Sequence, residues 1–158
     1  MESRQGTIVV GVDGSEASSR ALRWALDEAR LRGSRLTAVH VWLFAGVGVR
    51  HGWFPLAYDD FRRDAEAVLA EAVAAAVETA PGVEVEQRVV EGVPAERLVA
   101  AAADAEMLVV GSRGLGGFSG LLLGSVGQQC AQHARCPVVI VPHVARSEEP
   151  AAAAGGDT

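Results

Sequence analysis

The chain has 158 residues, one domain's worth by the usual range of roughly 100 to 200 residues per domain, and enough to bury a core without staples. Its 14 Lys+Arg against 20 Asp+Glu leave a net charge of -6, and every one of those positives is arginine. Chemistry that needs a lysine ammonium is thereby excluded: a Walker A phosphate loop, a Schiff base, the paired lysine of a receiver domain. An acidic chain with no basic run is also a poor partner for nucleic acid or an anionic membrane, which bind mainly through clustered positive charge.

Met1-Glu2-Ser3-Arg4-Gln5 leads directly into an apolar run, without the basic leader and apolar stretch of a signal peptide. The most apolar window, Leu36 to Val49, is interrupted by His40 and falls short of the roughly 18 apolar residues of a membrane span. Cys130 and Cys136 are too few to imply a disulfide framework. The expectation is a cytoplasmic protein with no membrane partner.

Thr7 to Val12 is a β-branched run that reads as a strand buried on both faces. Ser15 is placed to cap a helix whose Ala21, Leu22, Ala25, Leu26 and Ala29 recur at helical spacing, and Gly33 stops it. Arg35 to Trp42 is a second strand, and Leu43 to Tyr58, broken by glycines and Pro55, a loop. From Asp59 a long helix carries Phe61, Ala65, Val68, Leu69, Ala72, Val73, Ala76 and Val77 on one stripe and ends at Pro81-Gly82. Val83 to Val90 alternates like a strand with one wetter face. Pro94 opens a third helix to about Ala103, where its missing N–H costs nothing.

Met107 to Gly111 is a fourth strand, Gly124-Ser125 opens a helix through about Ala134, and Val138 to Val141 is a fifth strand closed by Pro142. The domain is expected to span residues 1–145, and the Ala, Gly, Glu and Pro of residues 146–158 to form a disordered tail. Strands alternating with helices mean an α/β fold, an open twisted parallel sheet with helices on both faces. Ligands of such Rossmann-like sheets bind beyond the carboxyl ends of the strands, where strand order reverses. The loops after Val12, Trp42, Val90 and Val110 are therefore where function belongs.

One of those loops carries chemistry. Gly111-Ser112-Arg113-Gly114 leaves the fourth strand and the chain re-enters a helix at Gly124-Ser125-Val126, presenting backbone N–H groups and a helix dipole to an anion, with phosphate the obvious guest. The Ser125 hydroxyl could donate to a phosphate or help hold its magnesium. The segment fails the dinucleotide fingerprint, because Ser119 stands where glycine is required, and it follows the fourth strand rather than the first. A plain flexible turn is the alternative.

The spacing of Gly111, Gly114 and Gly124-Ser125, with Val12-Asp13-Gly14-Ser15, Ala38-Val39-His40-Val41 and the closing Arg135-Cys136-Pro137-Val138-Val139-Ile140-Val141-Pro142, resembles the universal stress protein family over residues 6 to 143. The glycine spacing resembles its ATP-binding branch. The resemblance implies a five-stranded sheet of order 3-2-1-4-5, of the adenine nucleotide alpha hydrolase-like kind, a homodimer, and ATP, with or without Mg2+, held across strands one and four. It would place Val12 and Asp13 near the adenosine, Val41 at the adenine edge, Val110, Gly111 and Gly114 along the ribose and phosphates, and Gly124, Ser125 and Val126 around the phosphate tail. Gly127 departs from the pattern, standing where ATP-binding members often carry a small hydroxyl residue.

Other readings stand beside these. Asp13 could instead cap the following helix, and Arg113 either neutralises phosphate or is simply solvated. His40 reads as a satisfied core histidine rather than a base. His51, His133 and His143 show no metal-ligand spacing, and the two cysteines read as apolar fillers. Trp42, Trp53 and Phe54 could cover a ligand or just pack the loop. An uncharged Val138 to Val141 at a sheet edge invites antiparallel pairing with a second copy through residues 138–142, unless a helix or the tail covers it. The function expected is a non-catalytic, ATP-binding regulatory module in stress response. The alternatives are a slow Mg-dependent ATPase using the same pocket, for which no residue stands out as base, and a nucleotide-free interaction module.

Overall fold

The computed structural model describes residues 5–43, 54–113 and 123–142, residues 54–57 by their backbone alone. The chain alternates β1 (Thr7–Gly11), α1 (Glu16–Arg32), β2 (Arg35–Trp42), α2 (Phe54–Val77), β3 (Val85–Glu91), α3 (Pro94–Ala101), β4 (Met107–Gly111), α4 (Ser125–His133) and β5 (Val138–Val141). The five strands form one parallel sheet in the order β3-β2-β1-β4-β5, as the sequence and its resemblance imply. The reversal falls between β2 and β4, on either side of β1.

Both faces are covered. Ile8, Val10, Leu36, Ala38 and Val109 pack under Leu22, Leu26, Leu69 and Val73 of α1 and α2, and Val9, Val39, Leu108 and Val110 pack under Leu98 and Cys130 of α3 and α4. Alternate residues of β1, β2 and β4 thus serve opposite layers, which explains why these strands read as continuous apolar runs. β3 differs: Glu86, Gln87 and Arg88 are exposed.

The boundaries of two elements, α2 and β3, depart from expectation. α2 begins at Phe54 rather than Asp59, so Pro55 lies in the first turn, where its fixed φ and missing N–H are tolerated. The helix ends at Val77, short of Pro81-Gly82; the Thr79 hydroxyl donates to the Ala76 carbonyl at 2.7 Å and Gly82 turns the chain at φ +99°. β3 starts two residues later than the alternation suggests and extends to Glu91. Among the described residues no helix is long and apolar enough to cross a membrane. The segments holding His51, Trp53, His143 and residues 146–158 lie outside the described residues.

Candidate functional site

The carboxyl ends of β1 and β4 open onto two turns built in different ways. After β1, the Val12 N–H still donates to the Val39 carbonyl at 2.9 Å. Asp13 then turns the chain: its Oδ1 accepts from the Ser15 N–H at 2.9 Å, and its own N–H donates to Ser18 Oγ at 3.2 Å. Ser15 is the N-cap of α1, its hydroxyl accepting from the Ser18 N–H at 3.2 Å. The Asp13 carboxylate therefore shapes the turn before the cap rather than capping the helix itself. Gly14 sits at φ +84°, a left-handed conformation that costs an L-residue roughly 1–2 kcal/mol.

The turn after β4 is drawn in at its base. The Gly124 N–H donates to the Ser112 carbonyl at 2.7 Å, while the Ser112 N–H donates to Val141 of β5 at 3.0 Å. These bonds join the two feet of the glycine-rich loop and fasten them to the sheet. Ser112 itself is buried, and a backbone clasp of this kind leaves no trace in residue type. Gly111, the last residue of β4, runs close under α1: a β-carbon there would lie 2.9 Å from the Ala17 carbonyl carbon.

α4 begins at Ser125 with Gly124 as N-cap and no side-chain cap. Its first ladder bond is Gln128 N–H to Gly124 O, 3.0 Å, so the amides of Ser125, Val126 and Gly127 have no partner among the described residues. Three donors and the positive end of the helix dipole converge there. Gly127 is buried, and a β-carbon on it would meet the tip of Leu123 at 2.8 Å. A hydroxyl residue in its place would require the tip of the Leu123 side chain to shift.

Of the sequence-derived candidates, Val12 and Val110 are buried, Asp13, Val41, Gly111, Arg113, Gly124 and Val126 half-buried, and Ser125 exposed. The strand ends and the start of α4 bring together Val12, Asp13, Val110, Gly111, Gly124 and Ser125. Val41 stands one strand away, on β2. Gly114 lies outside the described residues.

His40 is tied in from β2, its Nδ1 2.7 Å from the Val12 carbonyl oxygen. A carbonyl only accepts, so the proton is on Nδ1. Trp42 packs against Tyr58 with ring centroids 5.1 Å apart, and the Tyr58 hydroxyl donates to Glu91 at 2.8 Å, which raises its pKa. Trp42 thus packs α2 onto the sheet end. Burial pushes the Cys130 thiol up to about 11 and raises Cys136 as well, so neither is a ready thiolate. No three His, Cys, Asp or Glu gather as a metal site among the described residues.

An open parallel α/β sheet whose strand order reverses beside β1, with a helix starting near the end of β4 whose first amides have no partner among the described residues, places the chain in the doubly wound class. The chain belongs to the universal stress protein family, which matches residues 6–142. It is 42% identical over 137 residues to a universal stress protein of Mycobacterium tuberculosis, covering 87% of this chain and 45% of that protein; this chain spans about half the length of the curated relatives it matches. Among solved structures it resembles a universal stress protein in complex with cAMP (33% identity, TM-score 0.64, 88% of this chain and 98% of that one). It also resembles a universal stress protein from Archaeoglobus fulgidus in complex with dAMP (26% identity, TM-score 0.65, 87% and 97% of the two chains).

Proposed function

We propose that this chain is an adenine-nucleotide-binding regulatory domain of the stress response, with ATP, alone or with Mg2+, as its nucleotide. The observation that carries the reading is the trio of amides at Ser125, Val126 and Gly127 that have no partner among the described residues, beside the carboxyl end of β4. In a chain without lysine, main-chain donors and the α4 dipole are the means of holding a polyphosphate. The relatives solved with cAMP and dAMP support an adenine-bearing ligand.

In this reading Val12, Asp13 and Val41 take the adenosine, with the Asp13 carboxylate near the ribose hydroxyls. Val110, Gly111, Arg113 and Gly114 line the ribose and phosphates, and Gly124, Ser125 and Val126 wrap the tail. The protein works in the cytoplasm as a homodimer through β5. That strand is paired on one side to β4, and its apolar, uncharged edge suits a second copy placed antiparallel.

Mass spectrometry of the nucleotide released on denaturing purified protein tests this directly, together with thermal shift in millimolar Mg-ATP. Co-purified ATP, or a rise in Tm that Gly124→Val abolishes, is the expected result. No released nucleotide and no shift with ATP, AMP or cAMP would overturn it.

A further inference from the structure

The β1/β2 ladder stops one hydrogen bond early, and a side chain stands where the missing donor belongs. In a parallel pair every second residue of a strand faces a given neighbour. Arg35 N–H donates to Gly6 O and Val12 N–H to Val39 O, whereas Leu36 N–H donates to Glu84 O and Gly92 N–H to Trp42 O. Odd-numbered residues of β2 thus face β1 and even-numbered ones face β3. With Gly11 beside Val39, the next rung would be the Val41 N–H donating to the Val12 carbonyl. That bond is absent. The Val12 carbonyl instead accepts from His40 Nδ1 at 2.7 Å, and the Val41 amide has no partner among the described residues.

We propose that His40 is a positioning residue of the nucleotide site: its imidazole N–H substitutes for the Val41 amide on the Val12 carbonyl, ending the ladder and leaving that amide free to donate to an acceptor nitrogen of a bound base. The proposal rests on the nucleotide-binding reading and adds a residue to it. His40 shows why the amide is available at all. A buried or half-buried carbonyl left without a donor is costly, so a free Val41 N–H next to the Val12 oxygen would close onto it unless another donor held that oxygen. The same bond holds the start of the turn that places Asp13, so one ring sets both the base-facing and the ribose-facing sides of the crevice. The histidine inside an apolar strand thereby has a role that neither acid–base chemistry nor core packing requires.

The test compares His40→Leu, which removes the donor, with His40→Asn, whose side-chain amide places an N–H where Nδ1 stood. Amide hydrogen exchange by NMR on the nucleotide-free protein should show Val41 exchanging freely in the wild type and in His40→Asn, and protected in His40→Leu as the ladder gains its rung. Affinity for ATP should fall about tenfold in His40→Leu, the worth of one well-placed hydrogen bond, and recover in His40→Asn. Affinity for inorganic triphosphate, which has no base, should be the same in all three.

Protection of Val41 in the wild type, or equal ATP affinity in the Leu and Asn variants, would overturn the proposal. If no form binds nucleotide, the function proposed above fails. The exchange result then still decides whether His40 ends the ladder.

Discussion

The two edges of the sheet are made of opposite materials. β3, Val-Glu-Gln-Arg-Val-Val-Glu, carries Glu86 and Arg88 side by side, Nε to Oε1 at 2.8 Å and both about half exposed. β5, Val-Val-Ile-Val, carries no charge, and each of its four residues is only partly buried. A strand edge is a template for another chain unless something blunts it, and charge is the common means. Among the described residues one edge of the sheet carries charge and the other does not, and that contrast is the ground on which the proposed homodimer is placed at β5.

The sharpest way to break that contrast makes one change on each edge. Ser112 N–H bonds to Val141 O and Leu108 N–H to Pro137 O, so by alternation Ile140 turns its backbone outward; on β3 the outward residue at mid-strand is Gln87. Ile140→Pro removes an outward donor without touching the β4 ladder. It should halve the mass seen by sedimentation equilibrium, whereas Gln87→Pro should leave it unchanged. If both variants or neither dissociate, the difference between the edges has no bearing on assembly.

A second change tests how β5 is seated. Gly111 neighbours Val141 in register and lies too close to Ala17 for a β-carbon, so Gly111→Val must push β4 and α1 apart. A loss of roughly 1–3 kcal/mol in urea unfolding is expected from such overpacking. Gly14→Ala, strained by its φ of +84° but on the other side of the crevice, should cost about 1–2 kcal/mol and leave assembly intact.

The smallest expected effect lies on β3. Arg88 holds the Glu86 carboxyl below its usual 4.5, first through their hydrogen bond. A group whose folded pKa is depressed adds stability above its unfolded pKa, and that stability is lost as pH falls through the folded value. Arg88→Ala should therefore raise the Glu86 pKa in a carboxyl-resolved NMR titration and weaken the protein slightly at pH 5 to 7, with no difference once the carboxyl is protonated in both states. An unmoved Glu86 titration would show the pair to be incidental, as many exposed ion pairs are.

The strand and helix order was legible because each buried strand is a short apolar run, α1 and α2 carry apolar stripes, and Pro94 and Gly124-Ser125 mark the starts of α3 and α4. Strand order came from a resemblance, since no local pattern states which strand lies beside which; the glycine loop was legible as an anion site from its glycines and helix start, and the resemblance added the nucleotide. Pro55 was misread as a breaker although Pro94, in the same situation, was not; the glycines before Pro55 masked a helix start. His40 was seen as satisfied, and it is, but its partner is a carbonyl 28 positions away in sequence. The consequence of that bond appears only when two strands are set in register. The same holds for the main-chain bonds of Ser112, which are invisible to any reading of side chains.

That Ser112 clasp has an evolutionary consequence. Because the bond between its carbonyl and the Gly124 amide brings the two ends of the intervening stretch together, the entropy of closing a longer stretch between them grows only as the logarithm of its length. Descendants of this scaffold can diverge in what they recognise by swapping that stretch while inheriting the platform beneath it unchanged.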